Sequence, residues 1–293
     1  MRFFLRTACL ILVIAGLSAE AARAQMPRER VDPGGPVEEV FWAPNVVLGS
    51  SVYMLPQGNM NVTIMHAFGI VTNGVQDLFG LDGAANIRFG VDYGLHDRLS
   101  LGVGRSRFDK LYDFRFKAKL LRQMRDNSFP IDVALKGDVG IMTVENGFDV
   151  ADRLSYFASL LIARKVSERI SLQVTPMVSH FNTVFIERRS VRILEEENDH
   201  IALGLAGRFV LSRRLALQVE YLPVLGARSD GTTDALSVGL DIETGGHVFQ
   251  LFFTTSQWLT EQHVIARNTD AFFDGDIRFG FNVNRVFRLG SSE

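Results

Sequence analysis

The sequence has 293 residues, is 47% hydrophobic and 22% charged, and carries a formal charge of -2. That hydrophobic content, with 23 phenylalanines, excludes a disordered chain, and 31 basic against 33 acidic residues leave no basic excess of the kind nucleic-acid binding needs. The length suits one large all-β domain or two ordinary ones, and no Ser/Gly/Pro-rich linker divides the interior.

The first stretch, MRFFLRTACLILVIAGLSAEAARAQ, places Arg2 and Arg6 before an apolar run from Ala8 to Leu17, then Ala22-Arg23-Ala24. This order predicts a secretory signal peptide over residues 1–24, cleaved after Ala24. The apolar run is too short to span a bilayer. Cleavage removes Cys9, the only cysteine, which rules out disulfides and thiol chemistry, and it takes the formal charge from -2 to -4. Residues 25–58 form an N-terminal periplasmic segment. Its start is rich in Pro and charge, whereas NVVLGSSVYML is apolar enough to need a partner.

From residue 59 to 293 the apolar residues alternate with polar ones, the period of a β-strand with two unlike faces. Twelve strands are predicted, over 59–68, 84–94, 98–107, 111–121, 130–142, 153–164, 169–179, 200–211, 214–223, 234–243, 246–256 and 275–287. GLHDRLSLGV (94–103), KVSERISLQV (165–174) and VLSRRLALQV (210–219) repeat one pattern, a tight turn ending in Arg98, Arg169 or Arg214 before an alternating strand. Short turns follow the second, sixth, eighth and tenth strands, and longer polar segments follow the odd ones, notably 181–200 and 258–274. Segregation of connection length by strand parity is the mark of an outer-membrane barrel. Two connections depart from it. RFDKLY (107–112) is short on the long-loop side, and RQMRDNSFP (122–130) is long on the short-turn side.

A single antiparallel transmembrane β-barrel is therefore expected, all-β and of about twelve strands, with its apolar face toward lipid. Lipid offers no partner to an unpaired strand edge, so the sheet must close. The segment 25–58 is expected to pack in the periplasmic mouth or lumen of this barrel, as a partial plug. The alternation assigns the lumen-facing charges: Arg88, Arg115, Lys117, Lys119, Lys136, Arg208 and Arg278 against Asp92, Asp113, Asp132, Asp138, Glu220, Asp241, Glu243 and Asp276. The signs nearly balance, so the charges are expected to pair across the lumen rather than form a single-sign filter. Arg115, Lys117 and Lys119 make a local basic ladder that neighbouring carboxylates would neutralise. Tyr93, Tyr112, Tyr221 and Trp258 fall near strand ends, as in an interfacial aromatic girdle. The segment 153–164 (RLSYFASLLIAR) is the exception, apolar on both faces.

The six histidines show no metal-ligand spacing, and no Gly-x-Ser-x-Gly elbow is present. No catalytic, cofactor-binding or metal residues are expected, and no enzyme activity.

The motifs LPQGNMNVTIMHAFG (55–69), GLDGAANIRFGVDYGLHDRLSLGVGRS (80–106), LSVGLDIETGGHVFQLFFTTS (236–256) and GDIRFGFNVNRVF (275–287) resemble an outer-membrane β-barrel family of unknown function, found mostly in Bacteroidetes-related bacteria. The resemblance spans nearly the whole chain after the signal peptide. It implies a barrel and a signal peptide, and it assigns no ligand or catalytic residue. Phe287 is followed by RLGSSE, which departs from the terminal aromatic of many such barrels. The expected location is the bacterial outer membrane, with its lipid as partner. The expected role is a narrow channel for small polar solutes or ions. A closed structural or adhesion barrel acting through its external loops, with ERRSVRILEEEND (187–199) as contact surface, is the alternative. A periplasmic ligand-binding β-sandwich is a third.

Overall fold

The computed structural model describes residues 34–145, 147–183, 187–188, 191–192 and 196–289. The predicted signal peptide, the start of the N-terminal segment and much of 184–195 lie outside the described residues.

Twelve strands build the fold: β1 (Asn59–Ile70), β2 (Asn86–His96), β3 (Leu99–Ser106), β4 (Tyr112–Leu121), β5 (Asp132–Ile141), β6 (Leu154–Lys165), β7 (Ile170–Phe181), β8 (Asp199–Ser212), β9 (Leu215–Leu222), β10 (Ala235–Glu243), β11 (His247–Thr254) and β12 (Arg278–Arg288). Each pairs antiparallel with the next, and β12 returns to β1 from Asn59↔Arg288 to Ile70↔Arg278. The sheet is thus one closed antiparallel barrel of twelve strands, not the two sheets of a sandwich. Closure satisfies every edge, the condition lipid imposes.

Alternation sorts the side chains. On β2, Asn86 and Arg88 are buried while Phe89, Val91 and Tyr93 are exposed on the outer face. Phe114, Val139, Val178, Leu240 and Phe253 continue that apolar exterior on other strands. Gly137 faces outward opposite Phe116, and a Cβ there would stand 2.4 Å from the Phe116 ring, which covers the glycine. On β6 the inner positions Phe157, Leu161 and Ala163 are buried in one apolar cluster with Phe41, Val46 and Leu48. This explains why β6 is apolar on both faces. It meets lipid outside and another part of the chain inside.

That other part is the segment preceding β1. Its backbone pairs with the β4–β5 turn through Val37 N–H to Gln123 O (2.7 Å) and Arg125 N–H to Gly35 O (3.1 Å). It then runs inside the barrel, where Phe41, Val46, Val47, Leu48 and Val52 are buried. It leaves at the same end, with Gly58 N–H on Gly94 O (2.9 Å). The unusually long turn after β4 is therefore a seat for this segment.

A second element occupies the interior. The helix α1 (Glu261–Arg267) follows β11, and its residues from Glu261 to Ala266 are buried. The stretch 258–274 is thus not the purely external loop its polarity predicts. Trp258 is buried and stacks on His263, with ring centroids 5.2 Å apart, so it is no girdle residue. Tyr93, Tyr112 and Tyr221 remain on the exposed side.

Candidate functional site

On one wall of the interior, β2, β3 and β4 carry a chain of ion pairs. Arg88 donates to Asp113 (2.6 and 3.1 Å), Arg115 Nη1 donates to the same carboxylate (2.6 Å), and Arg115 clasps Asp92 with two further bonds (2.7 and 2.8 Å). Arg88 and Asp92 stand on β2, whereas Asp113 and Arg115 stand on β4, so the Arg88–Asp113 and Arg115–Asp92 pairs must reach over β3, while Arg115–Asp113 lies along β4. Gly102 lies between Asp92 and Arg115 in register, and Gly104 lies opposite Asp113. A Cβ at Gly102 would fall 2.0 Å from Asp92 Oδ1, and one at Gly104 2.2 Å from Arg88 Nη2. The glycines are the floor on which these side chains lie. The pairs therefore run along the wall, not across the lumen as the charge balance predicts.

The same wall continues through Lys119–Asp132 (2.5 Å) and Lys136–Asp138 (2.9 Å). Lys136 also pairs with Glu261 of α1. Among the described residues, Lys117 has no carboxylate partner at hydrogen-bond distance. It donates instead to the carbonyls of Ser51 (2.9 Å) and Tyr53 (3.2 Å).

These carbonyls belong to the inner segment, which has no regular secondary structure over 37–58. Its peptide groups, shut away from water, need partners from elsewhere. Barrel side chains supply them. Glu220 accepts the N–H of Leu48 (2.8 Å) and Gly49 (3.0 Å), and Glu261 accepts the N–H (2.8 Å) and hydroxyl (3.1 Å) of Ser50. Gln173 accepts from Val52 N–H (3.0 Å) and donates to Ser50 O (2.8 Å). Gln250 donates to Val46 O (2.7 Å), Asn282 to Val47 O (2.8 Å) and Lys119 to Val52 O (2.6 Å). Arg208 donates to Glu39 O and packs its guanidinium over Trp42, 4.9 Å from the ring centroid.

The helix is locked from the other side. Arg267 pairs with Asp109, in the short β3–β4 connection, and lies 4.4 Å above the centroid of Trp258. That connection is compact because it holds α1. Burial, reinforced by the Arg267 charge, pushes His263 down to about 3, so the ring is neutral at physiological pH. Burial alone would raise the Glu261 carboxyl, but Lys136 and Ser50 outweigh it and hold the group below the ordinary carboxylate range.

Of the remaining predicted charges, Asp241 accepts from Gln218 (2.5 Å) and Gln250 (2.9 Å). Arg278 bonds Asp270 (2.5 Å), and Asp276 accepts the N–H of Ala271 (3.2 Å). Glu243 is only half-buried and accepts Gly245 N–H (2.5 Å) in its own turn, apart from the others. Pattern reading misses Glu261, Arg267, Asp109 and Asp270, which lie in connections, and Gln173, Gln250 and Asn282, which carry no charge. The last three do sit at inward positions of alternating strands, the signal by which they are legible.

Between the inner segment and the charged wall remains a chamber of about 50 Å³, lined by Tyr53, Arg115, Lys117, Lys136, Asp138 and Gln262 among others. Among the described residues, buried polar atoms with no protein partner occur around the barrel, including Ser106 and Asp138 on the charged wall, Ser159, Ser171, Ser179, His200 and Arg208 on β6 to β8, and Gln262 on α1.

Residues 41–287 match the model of a family described as a membrane bound beta barrel domain (DUF5777). The chain belongs to this family. With its closed sheet and apolar exterior, it is an outer-membrane β-barrel. No curated protein matches it. Among solved structures it is similar to the KdgM porin at 9% identity and a TM-score of 0.48, covering 78% of this chain and 99% of the other. An outer membrane channel from Pseudomonas putida F1 is similar at 13% identity and a TM-score of 0.46, covering 80% and 97%. The outer membrane protein Omp33 of Acinetobacter baumannii is similar at 8% identity and a TM-score of 0.42, covering 79% and 100%.

Proposed function

We propose that the barrel is a narrow channel for small polar solutes or ions, closed at rest by the segment 34–58 acting as a plug and by α1 acting as an inner lid. One observation carries this reading. On β6, β7 and β8, among the described residues, the hydroxyls of Ser159, Ser171 and Ser179, the His200 ring and two of the three Arg208 nitrogens are buried without a protein partner. Buried polar groups without partners are costly unless water reaches them, so this wall is suited to a hydrated passage. The charged wall, by contrast, is self-neutralised and presents no single-sign filter. The predicted lumen charges would set the local field along the path without binding the solute tightly. The reading includes no catalytic step and no cofactor.

The alternative, a closed barrel acting through its external loops, is favoured by a different observation. Between the inner segment, α1 and the charged wall the chamber is about 50 Å³, room for a few water molecules. Single-channel recording of the refolded chain 25–293 in a planar bilayer separates the two. A channel gives rare discrete steps that become frequent when residues 25–50 are deleted and change when Lys117 and Lys119 are neutralised. Silence from a folded barrel, with or without 25–50, transfers function to the loops.

A further inference from the structure

We infer that the β1–β2 and β11–β12 loops form an apolar shelf that dips into the acyl region of the outer leaflet. The two loops adjoin. Val71 N–H donates to Ile277 O (2.7 Å), prolonging the β1–β12 ladder past the strand end, and the Thr72 hydroxyl donates to Gly275 O (2.8 Å). Between them they expose Val75, Leu78, Phe79, Leu81, Phe272 and Phe273, with Phe273 exposed over 97% of its surface.

Phe79 is held there against its own conformational preference. Leu78 and Phe79 both adopt positive φ (46° and 56°), a region bulky residues avoid, and Gly80 comes next at 84°. The turn is fixed by Gly69 N–H on Gly80 O (2.9 Å), where the backbones come so close that a Cβ on Gly80 would fall 2.3 Å from Gly69 O. Strained backbone holding large apolar side chains outward is a feature that packing within the chain does not require.

The adjoining barrel surface decides the occupant. The outer faces of β1, β11 and β12 carry a column of rings leading to the shelf. His66 stacks on Phe281 (5.2 Å), Phe68 on Phe279 (5.7 Å), and Phe253 tilts against Phe279 (5.7 Å). This column lies on the lipid-facing surface, and the shelf continues it. Neither 71–85 nor 268–277 contains a lysine or arginine, so these segments offer no cation for lipid phosphate; of their five aspartates, Asp77, Asp270 and Asp276 bond within the chain, and it is the exposed rings that suit hydrocarbon.

The chain 25–293 lacks cysteine, which permits single labels. Bimane is attached to F79C, F273C and, as a reference on the exposed β5–β6 loop, E145C. Each protein is reconstituted in vesicles of phosphatidylcholine brominated on the acyl chain. The shelf requires quenching at 79 and 273 severalfold above that at 145, with aqueous iodide giving the reverse order. Equal quenching at all three positions overturns it. So does efficient disulfide crosslinking of F273C between protomers, which would assign the surface to a second copy of the chain. Heat-modifiable migration of each variant confirms the barrel, so loss of fold is not mistaken for loss of the shelf.

Discussion

Glu220 closes on Gly49. Its carboxylate accepts that residue's N–H at 3.0 Å, and a Cβ added there would stand 2.6 Å from Oε1. The fit leaves no room for a side chain, so the substitution Gly49→Ala should loosen the inner segment while leaving the strands paired. Losing these bonds to a buried acceptor should cost about 1–3 kcal/mol. Faster amide exchange at Leu48 and Gly49, with unchanged strand protection, is the expected outcome. Glu220→Gln, which keeps the shape but replaces one of the two acceptor oxygens with a donor, should give a change in the same direction.

Lys136 stands between Asp138 and Glu261 and has no surplus charge to spare. Lys136→Met would leave two buried carboxylates facing one another. The expected destabilisation is about 3–5 kcal/mol, the usual consequence of breaking a buried pair from one side. A folded-to-unfolded gel shift in urea measures it. Adding Glu261→Gln should recover part of the loss, because the stranded charge is then removed.

His263 makes the docking of α1 sensitive to acid. Its buried ring titrates near 3, against about 6.5 when released to water. The released state therefore binds protons more readily between those values, so docking is full above pH 6.5 and weakens as pH falls toward 3. At about pH 5 the loss amounts to about 2 kcal/mol. Proteolysis of 258–274 should become faster in mild acid, and His263→Gln should flatten that dependence. Acid-independent cleavage of the unaltered chain would rule the effect out.

Gly102 and Gly246 give a paired test of the glycine floor. Alanine at 102 would displace Asp92 from Arg115, whereas a Cβ at 246 meets nothing within 4 Å. Gly102→Ala should lower the stability read from urea unfolding by about 1–3 kcal/mol, the usual cost of overpacking, and Gly246→Ala should leave it near its original value.

Strand positions are open to pattern reading because lipid and lumen impose opposite chemistry on alternate residues. Each of the twelve observed strands overlaps a predicted one. The charged wall is legible too, down to Arg88, Asp113 and Arg115, since charge on the inner face has a period of two. What alternation does not reveal is which side chains meet. The spanning of β3 by Arg88 and Asp113 depends on Gly104, a residue with no side chain to announce it. Nor does alternation place elements outside the strands. In α1, Glu261, Gln262 and His263 read as a polar surface loop, and only contacts remote in sequence, Ser50 and Lys136 on Glu261 and the Phe181 ring on His263, place them inside.

The inner segment is fastened at its far end to the parts of the barrel that must come together to complete it. Gly58, where the segment becomes β1, donates its N–H to Gly94 O and accepts from Leu289 N–H (3.0 Å), the residue just past the final strand. A Cβ on Gly94 would lie 2.3 Å from Pro56 O, so β2 is fitted to the same exit. The seam between first and last strands thus clasps the chain leading out of the lumen. Closing the seam therefore also fixes the point at which the chain leaves the lumen, so the last ladder of the cylinder and the exit of the inner segment share the same bonds.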